Sequence, residues 1–202
     1  MKRVYCATGN PGKLREFQLA GELLAIDIAP LDNLKSIEAP EEHGATFEEN
    51  ARLKAEYYSR LAPGYLFADD SGLAVDALGG EPGVRSARYA GGGLDAGNSD
   101  AANNRLLLER LADRADRTAR FVCVIALAEN GKTIRTFRGE VEGEILHELR
   151  GPGGFGYDPL FWYPPYQASF GEVDDGRKFA VSHRGNALRK MLEYLVKTPI
   201  TG

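Results

Sequence analysis

Leu66-Phe67-Ala68-Asp69-Asp70-Ser71-Gly72-Leu73 is an apolar run that delivers two adjacent carboxylates. Its first four residues suit a short buried β-strand. Carboxylates at the end of such a strand carry a desolvation cost, which favours a cation close by. If the strand continues through them, its period of two sends Asp69 and Asp70 to opposite faces, so only one enters a given site. Taken in isolation, a strand followed by an acidic turn accounts for the segment equally well.

Working outward, Arg3 to Ala7 reads as a second short buried strand. It is followed by the turn Thr8-Gly9-Asn10-Pro11-Gly12 and a helix from Lys13 to about Leu24, with Phe17, Ala20, Leu23 and Leu24 on one face. Thr46-x-x-Glu49 forms a capping box at the start of an amphipathic helix reaching about Leu61. Gly79 to Gly97 is glycine-rich and irregular, the composition of a long ordered loop, and a helix follows from Asp100 to Ala112. Ala119 to Glu129 and Lys132 to Glu144 are strands joined by Asn130-Gly131, the strongest short hairpin signal in the chain. A last helix runs from Arg184 to Val196, with Leu188, Met191, Leu192 and Leu195 toward the core. There is no internal repeat, low-complexity tract or Pro/Ser linker. The expectation is one α/β domain over residues 1–202.

Bulk properties narrow the function. Hydrophobic residues at 43% and charged residues at 27% of 202 place the chain among ordinary globular proteins. No apolar run approaches the length of a membrane-spanning helix, and the N-terminus lacks the apolar region of a secretory signal. Cys6 and Cys123 each lie in an apolar, strand-like stretch, so two buried thiols in a reducing cytoplasm are expected. A net charge of −4 argues against a broad nucleic-acid-binding surface but not against a small polyanion, which needs only local cations, backbone N–H groups and a metal.

Four segments carry the chemistry. Thr8 to Lys13 is a strand-to-helix turn with a cation at the helix start, suited to a phosphate. It is not a P-loop, because Gly9 and Gly12 are too close and Leu14 follows the lysine. Taken alone, such a turn is more often a plain loop. The second segment is the Asp69-Asp70 strand. Glu41, Glu42, Glu48 and Glu49 lie upstream of it; most read as solvated or capping, but Glu41 or Glu42 can complete a metal site. Oxygen donors without a Cys/His cluster fit Mg²⁺ or Mn²⁺ rather than zinc. The third, Gly151-Pro152-Gly153-Gly154-Phe155-Gly156-Tyr157-Asp158-Pro159, holds a nominal G-x-G-x-x-G, yet Tyr157-Asp158-Pro159 does not open the helix a dinucleotide fold requires. What remains is a loop presenting Phe155, Tyr157 and Asp158, either to stack on a base or to plug a core. The fourth is Lys178 followed by Ser182-His183-Arg184. Ser182 suits an N-cap there, and two cations at the positive end of a helix are unfavourable unless an anion or an electron-rich base edge is present.

Together these segments resemble the inosine triphosphatase family, pyrophosphatases that remove non-standard purine nucleotides. The motifs are Thr8-x-Asn10-x-x-Lys13, Thr46-Phe47-x-Glu49-Asn50-Ala51, Ala68-Asp69-Asp70-Ser71-Gly72-Leu73-x-Val75, Gly80-x-Pro82-Gly83-x-x-Ser86-Ala87-Arg88-Tyr89-Ala90-Gly91, Gly154-Phe155-Gly156-Tyr157-Asp158-Pro159 and Ser182-His183-Arg184. They run in family order along the whole chain, and the combination is far more specific than any piece. Two departures stand out: Arg177 where the family often has an acidic residue before the lysine matching Lys178, and Gly171 where alanine is more common.

The resemblance implies an elongated mixed β-sheet flanked by helices, two lobes with the active site in the cleft between them, and a homodimer. It implies Mg²⁺-dependent hydrolysis of ITP, dITP and XTP to the monophosphate and pyrophosphate. Carried over residue by residue, Thr8, Gly9, Asn10, Pro11, Gly12 and Lys13 meet the triphosphate. Asp70 becomes proton acceptor and metal ligand, with Glu41 the second acidic contributor. Ser71, Phe155, Gly156, Tyr157, Asp158, Lys178, His183 and Arg184 contact the nucleotide. Selectivity is expected at the purine six-position, where hypoxanthine and xanthine present an acceptor and adenine a donor. Guanine shares the six-oxo group, so its rejection requires a further feature at the two-position. A nucleotide-binding regulator without catalysis, or a pyrophosphatase for modified pyrimidine or other damaged nucleotides, would use the same segments; base-by-base pyrophosphate release separates the three.

Overall fold

The computed structural model describes residues 2–91 and 99–198, the side chain of Ser99 excepted. Seven strands, β1 (Lys2–Cys6), β2 (Ile26–Pro30), β3 (Leu66–Val75), β4 (Thr118–Glu129), β5 (Lys132–Ile145), β6 (Phe161–Tyr163) and β7 (Ala168–Ser169), form one sheet in the order β2-β1-β3-β4-β5-β6-β7. β1 lies parallel to both β2 and β3, whereas β6 pairs antiparallel with β5 and with β7, so the sheet is mixed. Five helices complete the α/β architecture: α1 (Pro11–Glu22), α2 (Phe47–Ser59), α3 (Ser99–Arg110), α4 (Asp175–Val181) and α5 (His183–Lys197). None of the described helices is long and apolar enough to cross a membrane.

The patterning of the strands explains their placing. β4 is buried at nearly every position from Phe121 to Ala128, as a central strand covered on both faces must be. β5 alternates, with Phe137, Gly139, Val141, Gly143 and Ile145 buried and the residues between them exposed. Asn130 and Gly131 join β4 to β5 with φ of 50° and 79°, the positive pair a tight two-residue hairpin demands. α2 starts as its sequence signals: Thr46 accepts from the Glu49 N–H while the Glu49 side chain accepts from the Thr46 N–H.

The chain divides into two compact units. One takes in the chain through Asp70, Cys123–Gly139 and the chain from Arg184 onward; the other comprises Ser71–Val122 and Glu140–His183. Leu31, Tyr58 and Leu66 form a small core in the first. The second is built around Leu73, Val75, Leu107, Phe121, Phe161 and Phe170.

Three elements differ from the sequence expectation. β3 does not end at Asp69 but continues to Val75, because Leu73 and Val75 are fully buried and give the strand a second apolar anchor. α1 begins two residues early: Asn10 is its N-cap and Pro11 its first residue, where a missing N–H costs nothing. The expected Gly79–Gly97 loop is preceded by a short 3-10 turn at Asp76–Leu78 and contains a second at Gly83–Arg88, and its residues 92–98 lie outside those described.

Gly72 marks where the second of these turns packs onto β3. The Leu73 N–H donates to Ser86 Oγ at 2.9 Å, and that hydroxyl donates to the Gly83 carbonyl at 2.6 Å. A Cβ on Gly72 would collide with Ser86 Oγ and lie 2.6 Å from the Gly83 oxygen. Gly72→Ala should therefore destabilise the protein by about 1–3 kcal/mol through overpacking, seen as a lower urea midpoint at unchanged m-value.

Candidate active site

Continuation of β3 through its acidic pair puts the two carboxylates on opposite faces, and each meets a lysine from a different helix. Asp69 accepts from Lys13 Nζ of α1 at 2.7 Å. Asp70 accepts from Lys54 Nζ of α2 at 2.9 Å, with the Asn50 amide 3.4 Å away. Lys54 also reaches Glu42 Oε2 at 3.5 Å. Asn50 and Lys54 are one helical turn apart and so share a face of α2.

The two carboxylates are chemically unequal. Burial alone would raise Asp69, but Lys13, Arg184 and Lys54 outweigh it and hold this carboxyl well below the usual aspartate range. Burial also dominates at Asp70, and there it prevails: the pKa is raised despite the opposing Lys54 charge and hydrogen bond. Asp69 is thus a fixed anion, and Asp70 is the more basic of the pair. Lys54 stays firmly protonated, because Asp70, Asp69 and Glu42 more than offset its desolvation.

The turn before α1 is satisfied by its own side chains. Asn10 Oδ1 accepts from the Gly12 and Lys13 N–H groups at 2.9 and 3.1 Å, and Thr8 Oγ1 accepts from the Asn10 N–H at 3.3 Å. The Asn10, Gly12 and Lys13 N–H groups are therefore engaged within the turn itself. Gly9 is exposed, and the Lys13 ammonium is the charge this turn presents. Arg184, at the start of α5, is only 2% exposed and pairs with Glu16 of α1 at 3.1 Å. It is a buried cation near Asp69, not a solvated surface group.

In the second unit, the glycine-rich loop and α4 build a separate constellation. Lys178 Nζ donates to Asp158 Oδ2 at 2.8 Å, with both side chains at most 5% exposed. The same oxygen accepts the Phe155 N–H at 2.9 Å, and the Phe155 ring lies 4.8 Å from the ammonium. Phe155 is 44% exposed, unusual for a large aromatic, whereas Tyr157 is buried and donates its hydroxyl to the Ser86 carbonyl at 2.8 Å. Of the two aromatics, Phe155 is available to stack and Tyr157 is a core plug. His183 is buried with its ring stacked on Phe121, centroids 4.8 Å apart. Ser71 is half-buried on β3. Ser182 sits between two helices: it is the C-cap residue of α4, with its N–H bonded to the Lys178 carbonyl, and it directly precedes His183, the first residue of α5, in the extended conformation of an N-cap.

The two departures from the family pattern have local reasons. A Cβ on Gly171 would sit 2.6 Å from the Arg150 carbonyl oxygen, so the close approach of the 150–159 loop calls for glycine there. The Arg177 guanidinium lies 4.7 Å from the Tyr166 ring, a cation–π contact near the surface. Cys6 and Cys123 are free and buried, and burial pushes the Cys123 thiol up to about 12, so neither is a nucleophile.

Lys54 is the member of this charged cluster that the sequence did not single out. The signal for it was Asn50, already part of a motif and four residues earlier on the same helix. Of the two candidate metal-binding glutamates, Glu42 shares Lys54 with Asp70, while Glu41 is exposed. Among the described residues, no three His, Cys, Asp or Glu side chains form a ready-made metal cage. The donor set still suits Mg²⁺, which takes one or two carboxylates together with substrate phosphates and keeps its waters.

The motif resemblance is matched by direct comparison. The Ham1 family model matches residues 4–194. A dITP/XTP pyrophosphatase of Acidobacterium capsulatum is 51% identical over 200 residues, covering 95% of this chain and 97% of that one. One of Exiguobacterium sibiricum is 48% identical over 191 residues, covering 94% of each. Among solved structures, a Ham1 protein from Coxiella burnetii superposes with a TM-score of 0.88 at 41% identity, covering 98% of this chain and all of that one.

The Lys178–Asp158 pair is costly to break because both charges are out of water. Lys178→Met should lose about 3–5 kcal/mol by leaving Asp158 buried and uncompensated. Lys178→Met combined with Asp158→Asn should recover much of that loss; urea denaturation of the three variants checks both.

Proposed function

The chain belongs to the Ham1 family, and on that premise we propose that it hydrolyses the non-standard purine nucleoside triphosphates ITP, dITP and XTP to the monophosphate and pyrophosphate. The observation that carries the reading is the acidic pair of β3, two buried carboxylates on opposite faces, each held within 2.9 Å by a lysine from a different helix.

Asp70 orients a water for attack on the α-phosphorus and accepts its proton. The bond from that phosphorus to the bridging oxygen breaks, and pyrophosphate leaves with the electron pair. Lys13 and Lys54, each already within 2.9 Å of a carboxylate, turn toward the triphosphate and neutralise it, with Thr8 to Lys13 lining its path. Mg²⁺, or Mn²⁺ in its place, would be held by Asp70 with Glu42, or with Glu41 as the sequence suggests, and would supply charge neutralisation for the leaving pyrophosphate.

Exposed Phe155 offers a stacking face for the base, with Lys178 and Asp158 fixed behind it. Ser71, Gly156, His183 and Arg184 complete the nucleotide contacts carried over from the family pattern, while Tyr157, expected among them, serves as the core plug under the loop. A donor facing the six-oxo group leaves the adenine amine unpaired, at about 1–3 kcal/mol per buried unsatisfied group. The assembly proposed is a homodimer, on the family resemblance, and the compartment the cytoplasm, on two free buried thiols.

Assaying phosphate and pyrophosphate separately with Mg²⁺ and ITP, dITP, XTP, ATP and GTP should show pyrophosphate from the first three and slower turnover of ATP. Asp70→Asn, folded by circular dichroism, should lose about 10²–10⁴-fold in kcat. Orthophosphate as the product, ATP cleaved as fast as ITP, or an active Asp70→Asn enzyme would overturn the reading.

The raised Asp70 also fixes a pH dependence. A base must be deprotonated to act, so kcat/KM should fall on an acidic limb as Asp70 takes up a proton. Lys54 opposes the rise, so Lys54→Met should move that limb to higher pH. A limb that stays put in a Lys54→Met protein retaining measurable turnover would remove Asp70 from this role.

A further inference from the structure

The exposed Phe155 is followed by Gly156 in the left-handed region at φ 61°, a combination that leaves a loop free to wander unless something holds it. Helix α3 supplies the hold. Asp100 Oδ2 accepts the Gly156 N–H at 2.7 Å, and Asn104 Nδ2 donates to the Gly156 carbonyl at 2.9 Å. Asp100 and Asn104 are one helical turn apart and on one face, so α3 grips both polar groups of a single loop residue. The neighbouring residue on each side is fixed independently, Phe155 by its N–H to Asp158 and Tyr157 by its hydroxyl to Ser86. Asn103, next along α3, accepts the Ala90 N–H and donates to the Ser86 and Ala87 carbonyls, tying the segment that anchors Tyr157 to the same helix.

We infer that Asp100 and Asn104 are positioning residues for base selection, clamping Gly156 so that the Phe155 ring is presented in one place before nucleotide arrives. The inference rests on the reading of Phe155 to Asp158 as the base-contacting loop. Both side chains direct their hydrogen bonds to Gly156 of the base loop, so the clamp acts on affinity for the base and not on the chemical step. Preorganising a stacking platform lowers the ordering cost of binding.

Two measurements test it, one independent of activity. Hydrogen exchange across residues 151–158 should run about tenfold faster or more in Asp100→Ala, as loss of a hydrogen bond to a charged acceptor predicts, and Asp100→Asn, whose amide oxygen still accepts, should restore much of the protection. In kinetics, Asp100→Ala should raise KM for ITP about tenfold with kcat within about twofold, and should leave inhibition by inorganic triphosphate unchanged, because only binding to the base is affected. Unaltered exchange in Asp100→Ala, alongside a raised KM in Phe155→Ala, overturns the clamp alone. An ITP KM indifferent to Phe155→Ala overturns the base-loop reading and the clamp's role in selectivity with it. Equal weakening of ITP and inorganic triphosphate in Asp100→Ala marks general loosening and overturns the inference.

Discussion

Two adjacent carboxylates inside a strand, 7% and 9% exposed, must each find a cation or surrender their charge. That constraint organises the first unit. Because β3 sends Asp69 and Asp70 to opposite faces, one lysine cannot serve both, and a helix is needed on each side to bring one. α1 contributes Lys13 and α2 contributes Lys54, so the turn before α1 and the capping box before α2 are in effect parts of the acidic site. Move either helix by a turn and a carboxylate is left buried without its counter-ion.

The same arrangement separates the duties of the pair. Asp69, facing Lys13 with Arg184 nearby, is stabilised as an anion and contributes a steady negative potential that keeps the surrounding cations charged. Asp70 has one lysine, an amide and a neighbouring glutamate, and desolvation prevails there. Identical side chains next to one another thereby acquire different proton affinities from their surroundings alone. The pyrophosphatase reading leans on that difference, since a base and a permanent counter-ion are different requirements.

What the sequence revealed was whatever depends on neighbours in the chain. The Asn130-Gly131 hairpin and the Thr46/Glu49 capping box are local chemistry, and both stand where their residues signal them. The mixed α/β sheet followed from the family resemblance, which is also the source of the role proposed for Asp70; alternation along β3 said only that the two aspartates part. What stayed hidden depends on the third dimension. Lys54 looks like one more charge on an amphipathic helix until α2 is laid against β3. His183 and Arg184 look solvated by composition yet are 5% and 2% exposed. The early start of α1 is written in Asn10-Pro11, a cap followed by a residue that tolerates the first helical position. α4, at seven residues, is too short for hydrophobic periodicity to reveal, although it carries Lys178.

Asn10 has a consequence for timing. By supplying an acceptor to the first turn of α1, it completes the helix without help from any anion. A phosphate meeting this end of the molecule finds a finished structure rather than one waiting to be ordered, so no folding step stands between encounter and capture. On the proposed reading, recognition there falls to Lys13, a point charge on the first turn that Asp69 already holds in place. On that reading this end of the molecule supplies charge rather than shape, and discrimination rests on whatever holds the other end of the nucleotide.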